Sequence, residues 1–148
     1  MGRILSLDYG RRRIGVAVSD PLGVTAQPFD TWEGLEFNQI VEKIDTLIHQ
    51  IGIEKIIIGL PLTLKGEKGQ SVKKVEQFAM KLKSSISVPV VLWDERFTSM
   101  QAKRILHQAD EKPSRKKGKV DLIASVLLLQ NFLEFQEGHT NHNMGETI

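Results

Sequence analysis

The amino-terminal part of the chain alternates apolar and polar positions, and the rest switches between short β-branched runs and longer stretches of helical period. Arg3–Tyr9 (RILSLDY) alternates and then runs apolar, which suits a buried strand. Gly10 to Arg13 is a short polar link containing a glycine. Ile14–Val18 is a second β-rich run, with small residues Gly15 and Ala17 between its branched ones. Two such runs across a tight link read as a hairpin. Val24–Trp32 reads as a third strand, and Pro28 inside it assigns it to an edge, because proline cannot donate to a ladder.

From Glu36 to Ile51 the period changes. Ile40, Ile44, Leu47, Ile48 and Ile51 fall on one helical face, and Gly52 ends the helix. Glu54–Leu60 (EKIIIGL) has the composition of a strand buried on both faces, stopped by Pro61. Leu62–Gln70 reads as a mobile surface loop. Ser71 is placed to cap a helix reaching Ile86, and Val88–Trp93 is a fifth strand. Thr98 or Ser99 can cap a third helix to about Ala109. Asp110–Gly118, basic and proline-containing, reads as a flexible loop. Lys119–Phe135 is apolar nearly all round, hence a buried helix, ended by Gly138. The order βββαβαβαα predicts an α/β fold with a five-stranded mixed sheet flanked by helices. A single domain over residues 1–137 and a disordered tail over 138–148 are expected.

Bulk properties narrow the class without naming it. The 148 residues, 41% hydrophobic and 26% charged, suit one soluble domain with one good core. No apolar run approaches the roughly 20 residues that span a bilayer, and no signal peptide precedes the first strand. The chain has no cysteine, which excludes disulfides and thiolate metal sites and fits a cytoplasmic protein. Any metal must therefore be held by carboxylates or histidine. Net charge is only +2, but basic residues cluster at Arg11-Arg12-Arg13 and again at Lys112, Arg115, Lys116, Lys117 and Lys119. That distribution, more than the total, points toward phosphate.

Three acids stand where packing does not want them. Asp8 lies inside the first strand, Glu95 just past the fifth, and Asp121 at the opening of the most apolar helix. A buried ionised carboxylate costs several kcal/mol unless a cation faces it. In an open sheet with βα units, sites assemble in the crevice beyond the strand ends. Three carboxylates converging there would repel unless a cation sits among them, and oxygen ligands suit Mg²⁺ or Mn²⁺. Each acid also has an ordinary explanation. Asp8 can cap the turn, Glu95 can pair with Arg96 on the surface, and Asp121 in a first helical turn is favoured by the dipole. By spacing, Asp94 is as good a ligand as Glu95.

Four stretches together, DYGRRRIGVAVSD, GLPLTLKGEKG, VVLWDERFTS and SRKKGKVDLIASVLLLQNFL, resemble the YqgF/RuvX family over Arg3 to Leu133, in order and spacing. The resemblance implies the RNase H-like fold shared with the Holliday-junction resolvase RuvC. It places an acidic triad on Asp8, Glu95 and Asp121, as catalytic residues and as ligands of a two-metal site for Mg²⁺ or Mn²⁺. It implies a nuclease, a hydrolase of phosphodiester bonds, acting in 5′-end maturation of pre-16S rRNA or on Holliday junctions. Products would carry 5′-phosphate and 3′-hydroxyl ends. Arg11, Arg12, Arg13, Arg96, Thr98, Lys116 and Lys117 would hold the nucleic acid, either precursor rRNA or branched DNA. Ribosomal particles are expected partners, and a homodimer if a junction is the substrate. In the resolvase relatives the second acid closes the fourth strand; here Gly59-Leu60-Pro61 stands there, so Glu95 must replace it from the next strand.

Two other classes compete. Actin- and Hsp70-like ATPases also open with an Asp-x-Gly hairpin, but enclose ATP between two such domains, and this chain supplies one. A ribosome-assembly factor could use the same residues to bind RNA without cleaving it.

Overall fold

Strand β1 (Arg3–Tyr9) is the centre of a five-stranded sheet of order β3-β2-β1-β4-β5. On one side it pairs antiparallel with β2 (Arg13–Ser19), which pairs antiparallel with β3 (Ala26–Glu33). On the other side it pairs parallel with β4 (Ile53–Leu60), which pairs parallel with β5 (Val90–Asp94). The sheet is mixed, as the order of short-linked and helix-linked strands requires. The computed structural model describes residues 2–61, 69–95 and 113–142, of which 70, 113–118 and 137–142 by their backbone alone. The expected third helix, with Arg96 and Thr98 before it, lies outside the described residues.

Strand alternation divides the chemistry between two faces. Leu5 and Leu7 of β1, Val16 and Val18 of β2 and Ile56 and Ile58 of β4 face a core shared with α1 (Phe37–Ile51) and α2 (Gln70–Ser85). Ile4 of β1, Ala17 of β2 and Ile57 of β4 face the other side. There they pack on Leu128, Leu129, Phe132 and Leu133 of α3 (Pro113–His142). Asp8, in the same parity as Ile4, therefore points at α3. Pro28 sits in β3, an edge strand as expected, beside a register shift at Val16/Ala17. Helix α1 ends as read, with Gly52 left-handed at φ 74.

Two helices differ at their boundaries from the pattern reading. Gly69, not Ser71, is the N-cap of α2, so Ser71 lies within the first turn. Helix α3 starts at Pro113 rather than Lys119 and continues through Gly138 to His142. Proline reads as a breaker, but at the first helical position its missing N–H and fixed φ cost nothing. The Arg and Lys residues that follow are good helix formers. Part of the expected tail is thus helical, and 143–148 lie outside the described residues. Among the described residues no helix is long and apolar enough to cross a membrane.

Candidate active site

Each of the three acids is delivered by a different element. Asp8 is the penultimate residue of β1, 8% exposed, paired in register with Gly15 of β2. Glu95 follows β5 directly, and its amide donates to the Leu60 carbonyl at 3.2 Å, which extends the parallel ladder by one step. Asp121 lies two turns into α3, so the dipole explanation lapses: that effect fades beyond the first turn. Asp8 and Glu95 share a hydrogen bond; Glu95 feels the charge of a third carboxylate, Asp121, which in turn feels that of Asp8. Residues 8, 95 and 121 therefore converge at one end of the sheet.

Two glycines make that approach feasible. A Cβ at Gly15 would collide with the Asp121 carbonyl and lie 3.0 Å from the Leu122 nitrogen, so only glycine lets α3 come this close to β2. A Cβ at Gly59 would collide with the Glu95 carboxylate, reaching its Cδ at 2.8 Å, and would lie 3.1 Å from Leu128. Glu95 thus reaches across β4 through the space of an absent side chain. With no Cβ at Gly59, the fourth strand leaves an acid from the next strand room to reach the cluster. It also separates Asp94 from Glu95. Glu95 is turned inward against Asp8, while Asp94 is exposed at the strand end. Helix α3 is further anchored by the buried Ser6 hydroxyl, which donates to the Ser125 carbonyl at 3.0 Å.

The electrostatics match a cluster of mutually repelling acids. Burial, and then the Glu95 charge and hydrogen bond, push Asp8 well above the usual carboxylate range. Burial also raises Glu95, helped by Asp94 and Asp121, while the hydrogen bond from Asp8 opposes the rise. The directions describe a pair that shares one proton, as two close carboxylates do. Asp121 is pushed up to about 6, by burial first and the Asp8 charge second, against the Arg13 guanidinium.

Among the described residues no three acidic or imidazole groups form a closed ligand set as they stand. The chemistry of the donors nonetheless fits a hard divalent cation. All are carboxylate oxygens, they raise one another, and a cation can take over the charge balance now kept by a shared proton.

The basic residues divide. Arg13 joins the site: it lowers Asp121, and its Nε lies 3.6 Å from Glu33, its cross-strand neighbour. Arg11 and Arg12 are exposed in the β1–β2 turn, near the strand ends. Lys116 and Lys117 lie in the early turns of α3, upstream of Asp121. Arg96 and Thr98 fall outside the described residues. Pattern reading missed Gly59 as part of the site, though a lone glycine inside EKIIIGL signals close approach by something. It also missed Ser6 and Glu33, for which no local signal exists.

Comparison with known proteins agrees with this architecture. The RuvX family, described as a Holliday junction resolvase, matches residues 2–135. A protein of Sulfurihydrogenibium sp. named "Putative pre-16S rRNA nuclease" is 45% identical over 148 residues, covering 97% of this chain and 99% of its own. One of Koribacter versatilis with the same name is 44% identical over 133 residues, covering 90% and 87%. Among solved structures, T. thermophilus RuvC bound to a Holliday junction substrate superposes with TM-score 0.55 at 14% identity, covering 93% of this chain and 97% of RuvC. Fowlpox virus resolvase with its junction DNA also gives 0.55 at 14%, covering 90% and 98%. These two share the fold, an RNase H-like mixed sheet with flanking helices. The chain belongs to the RuvX family of Holliday junction resolvases.

Proposed function

We propose that this chain is a divalent-metal-dependent nuclease that hydrolyses phosphodiester bonds in the 5′ region of precursor 16S rRNA. The observation that carries the reading is the meeting of Asp8, Glu95 and Asp121, from three separate elements, at one strand end. The names of the relatives support the substrate. Asp8, Glu95 and Asp121 would hold Mg²⁺ or Mn²⁺ through carboxylate oxygens. Bound there, the metal supplies a more acidic water and neutralises charge on the phosphate.

The chain's own groups do the rest. Gly59 leaves the room in which Glu95 sits, and Gly15 sets the distance at which Asp121 stands. Arg13, steadied by Glu33, offers its guanidinium to a phosphate oxygen. Arg11 and Arg12 extend the positive rim along the strand. Water attack on phosphorus with loss of the 3′ oxygen leaves a 5′-phosphate and a 3′-hydroxyl.

A second reading, resolution of four-way DNA junctions, is favoured by the family's description and by the fold shared with RuvC. It requires two active sites on a symmetric substrate, hence a homodimer. Trimming of rRNA on a ribosomal particle needs one. The test is cleavage of labelled precursor rRNA and of a four-way junction, with Mg²⁺ and with Mn²⁺, by wild type and Asp8→Asn. Metal-dependent cutting of the rRNA, lost in Asp8→Asn while its circular dichroism is unchanged, is the expected result. Wild-type activity in Asp8→Asn overturns the site assignment. Cutting of the junction alone moves the function to DNA.

A further inference from the structure

On the sheet face opposite α3, a cleft of about 260 Å³ opens between the start of α1 and the middle of α2. Its inner wall is Tyr9, stacked on Phe78 of α2 with ring centroids 4.1 Å apart. Phe37, the first residue of α1, stands edge-on to Phe78 at 6.0 Å. The Lys81 ammonium lies 4.3 Å from the Phe37 ring centre, and Lys74 completes the rim. Among the described residues no acid lines this cleft. Among the described residues neither lysine is in an ion pair. A larger cleft of about 450 Å³ between β3 and α1 is different: Asp30 and Glu42 outnumber Lys43 there, so it repels phosphate.

The position of the smaller cleft gives it meaning. Tyr9 directly follows Asp8, and neighbouring strand residues stand about 3.8 Å apart at Cα and point to opposite faces. The cleft therefore starts where the carboxylate cluster stops, across the tip of one strand. Aromatic rings flanked by lysines hold single strands, the ring taking a base and the ammonium a phosphate. A duplex keeps its bases stacked and has none to offer a recess this small. We propose that Tyr9 and Phe37, backed by the buried Phe78, form with Lys74 and Lys81 a subsite for one unpaired nucleotide beside the scissile phosphate. The inference rests on the assignment of the Asp8 cluster as the cleavage site.

The test measures binding apart from cleavage. In an Asp8→Asn background, Lys74→Gln/Lys81→Gln is titrated by fluorescence anisotropy, over a salt series, against one sequence as single-stranded RNA, single-stranded DNA and duplex. Single-strand affinity should fall about 10-fold, and the slope of log K on log salt should flatten by about 1.4, for two lost phosphate contacts. Duplex affinity should stay within about twofold. An abasic scan should find one position beside the cut where base removal weakens binding about 10-fold, and Phe37→Leu should make that position indifferent. An effect on RNA alone or DNA alone supports the subsite and identifies the strand it accepts. Unchanged affinity and slope, an equal loss on duplex, or no base-sensitive position overturns it. If wild type cuts nothing while lysine-dependent binding persists, the cleavage assignment fails and the subsite stands.

Discussion

Replacing Gly59 by alanine separates the demands of folding from those of the site. The added Cβ would reach the Glu95 Cδ at 2.8 Å and Leu128 at 3.1 Å. The first neighbour is the far end of a flexible side chain, which can swing away at little cost. The second must yield by a few tenths of an ångström. Overpacking of this mild kind costs about 1 kcal/mol, and alanine recovers roughly half of that by replacing glycine inside a strand. Stability should therefore change by less than about 1 kcal/mol, or about 4 °C in Tm for a domain of this size. Activity should respond far more, because Glu95 cannot both avoid the methyl group and stay against Asp8. A displacement of about 1 Å at such a site costs on the order of 100-fold in rate. The companion variant is Gly15→Ala, whose Cβ meets the backbone of Asp121 and Leu122 in α3. Backbone cannot swing aside, so the helix must move, at about 2 kcal/mol and about 4–8 °C. Thermal melts and single-turnover cleavage at saturating Mg²⁺ would read both. Full activity in Gly59→Ala, or a loss no larger than its loss of folded protein, refutes the assignment of Glu95 to the site.

Three more outcomes are expected. Asp121 has an ordinary pKa of 3.8 raised to about 6, so its protonated form favours the fold below about pH 4, and that contribution is lost as pH rises through 6. Asp121→Asn should therefore gain about 1 kcal/mol over metal-free wild type at pH 8, after allowance for its half-exposed position, and nothing at pH 4; equal melts at both pH values contradict this. Divalent metal should raise the Tm of wild type at pH 8 and leave Asp8→Asn unmoved, by linkage of binding to folding; a shift of the same size in both places the ion elsewhere. Ser19→Ala removes the hydroxyl that accepts the buried Ile4 amide at 2.8 Å, which should cost about 2 kcal/mol in urea unfolding with unchanged m-value.

Much of this molecule is written in local pattern, and the gaps have definite causes. The extent of β1, the hairpin, the edge position of β3 and the apolar face of α1 follow from period, branching, proline and the closing glycine. Helix α3 was misread at its start because Pro113 looks the same as a breaker and as a first helical residue. Asp8 was suspect on sight, since a carboxylate inside an apolar strand needs a reason. The choice between Asp94 and Glu95 could not be made locally. It depends on the β4–β5 register, which sets Gly59 against Trp93 and Leu60 against Asp94, and leaves the step after that to Glu95. Gly59 and Glu95 are far apart in sequence, and no window short enough to show period contains both.

The Ser6 hydroxyl and the Ser125 carbonyl are 119 positions apart, and they tie the first strand to the last helix. Asp8 is thus synthesised well before Asp121, with strands β2 to β5 and helices α1 and α2 between their two elements. A nascent chain whose hairpin has already formed holds Asp8 but has no Asp121 beside it until α3 has left the ribosome and docked. On the proposed function, an unfinished polypeptide would lack the third carboxylate of the cluster, and cleavage would wait for α3 to dock on the sheet.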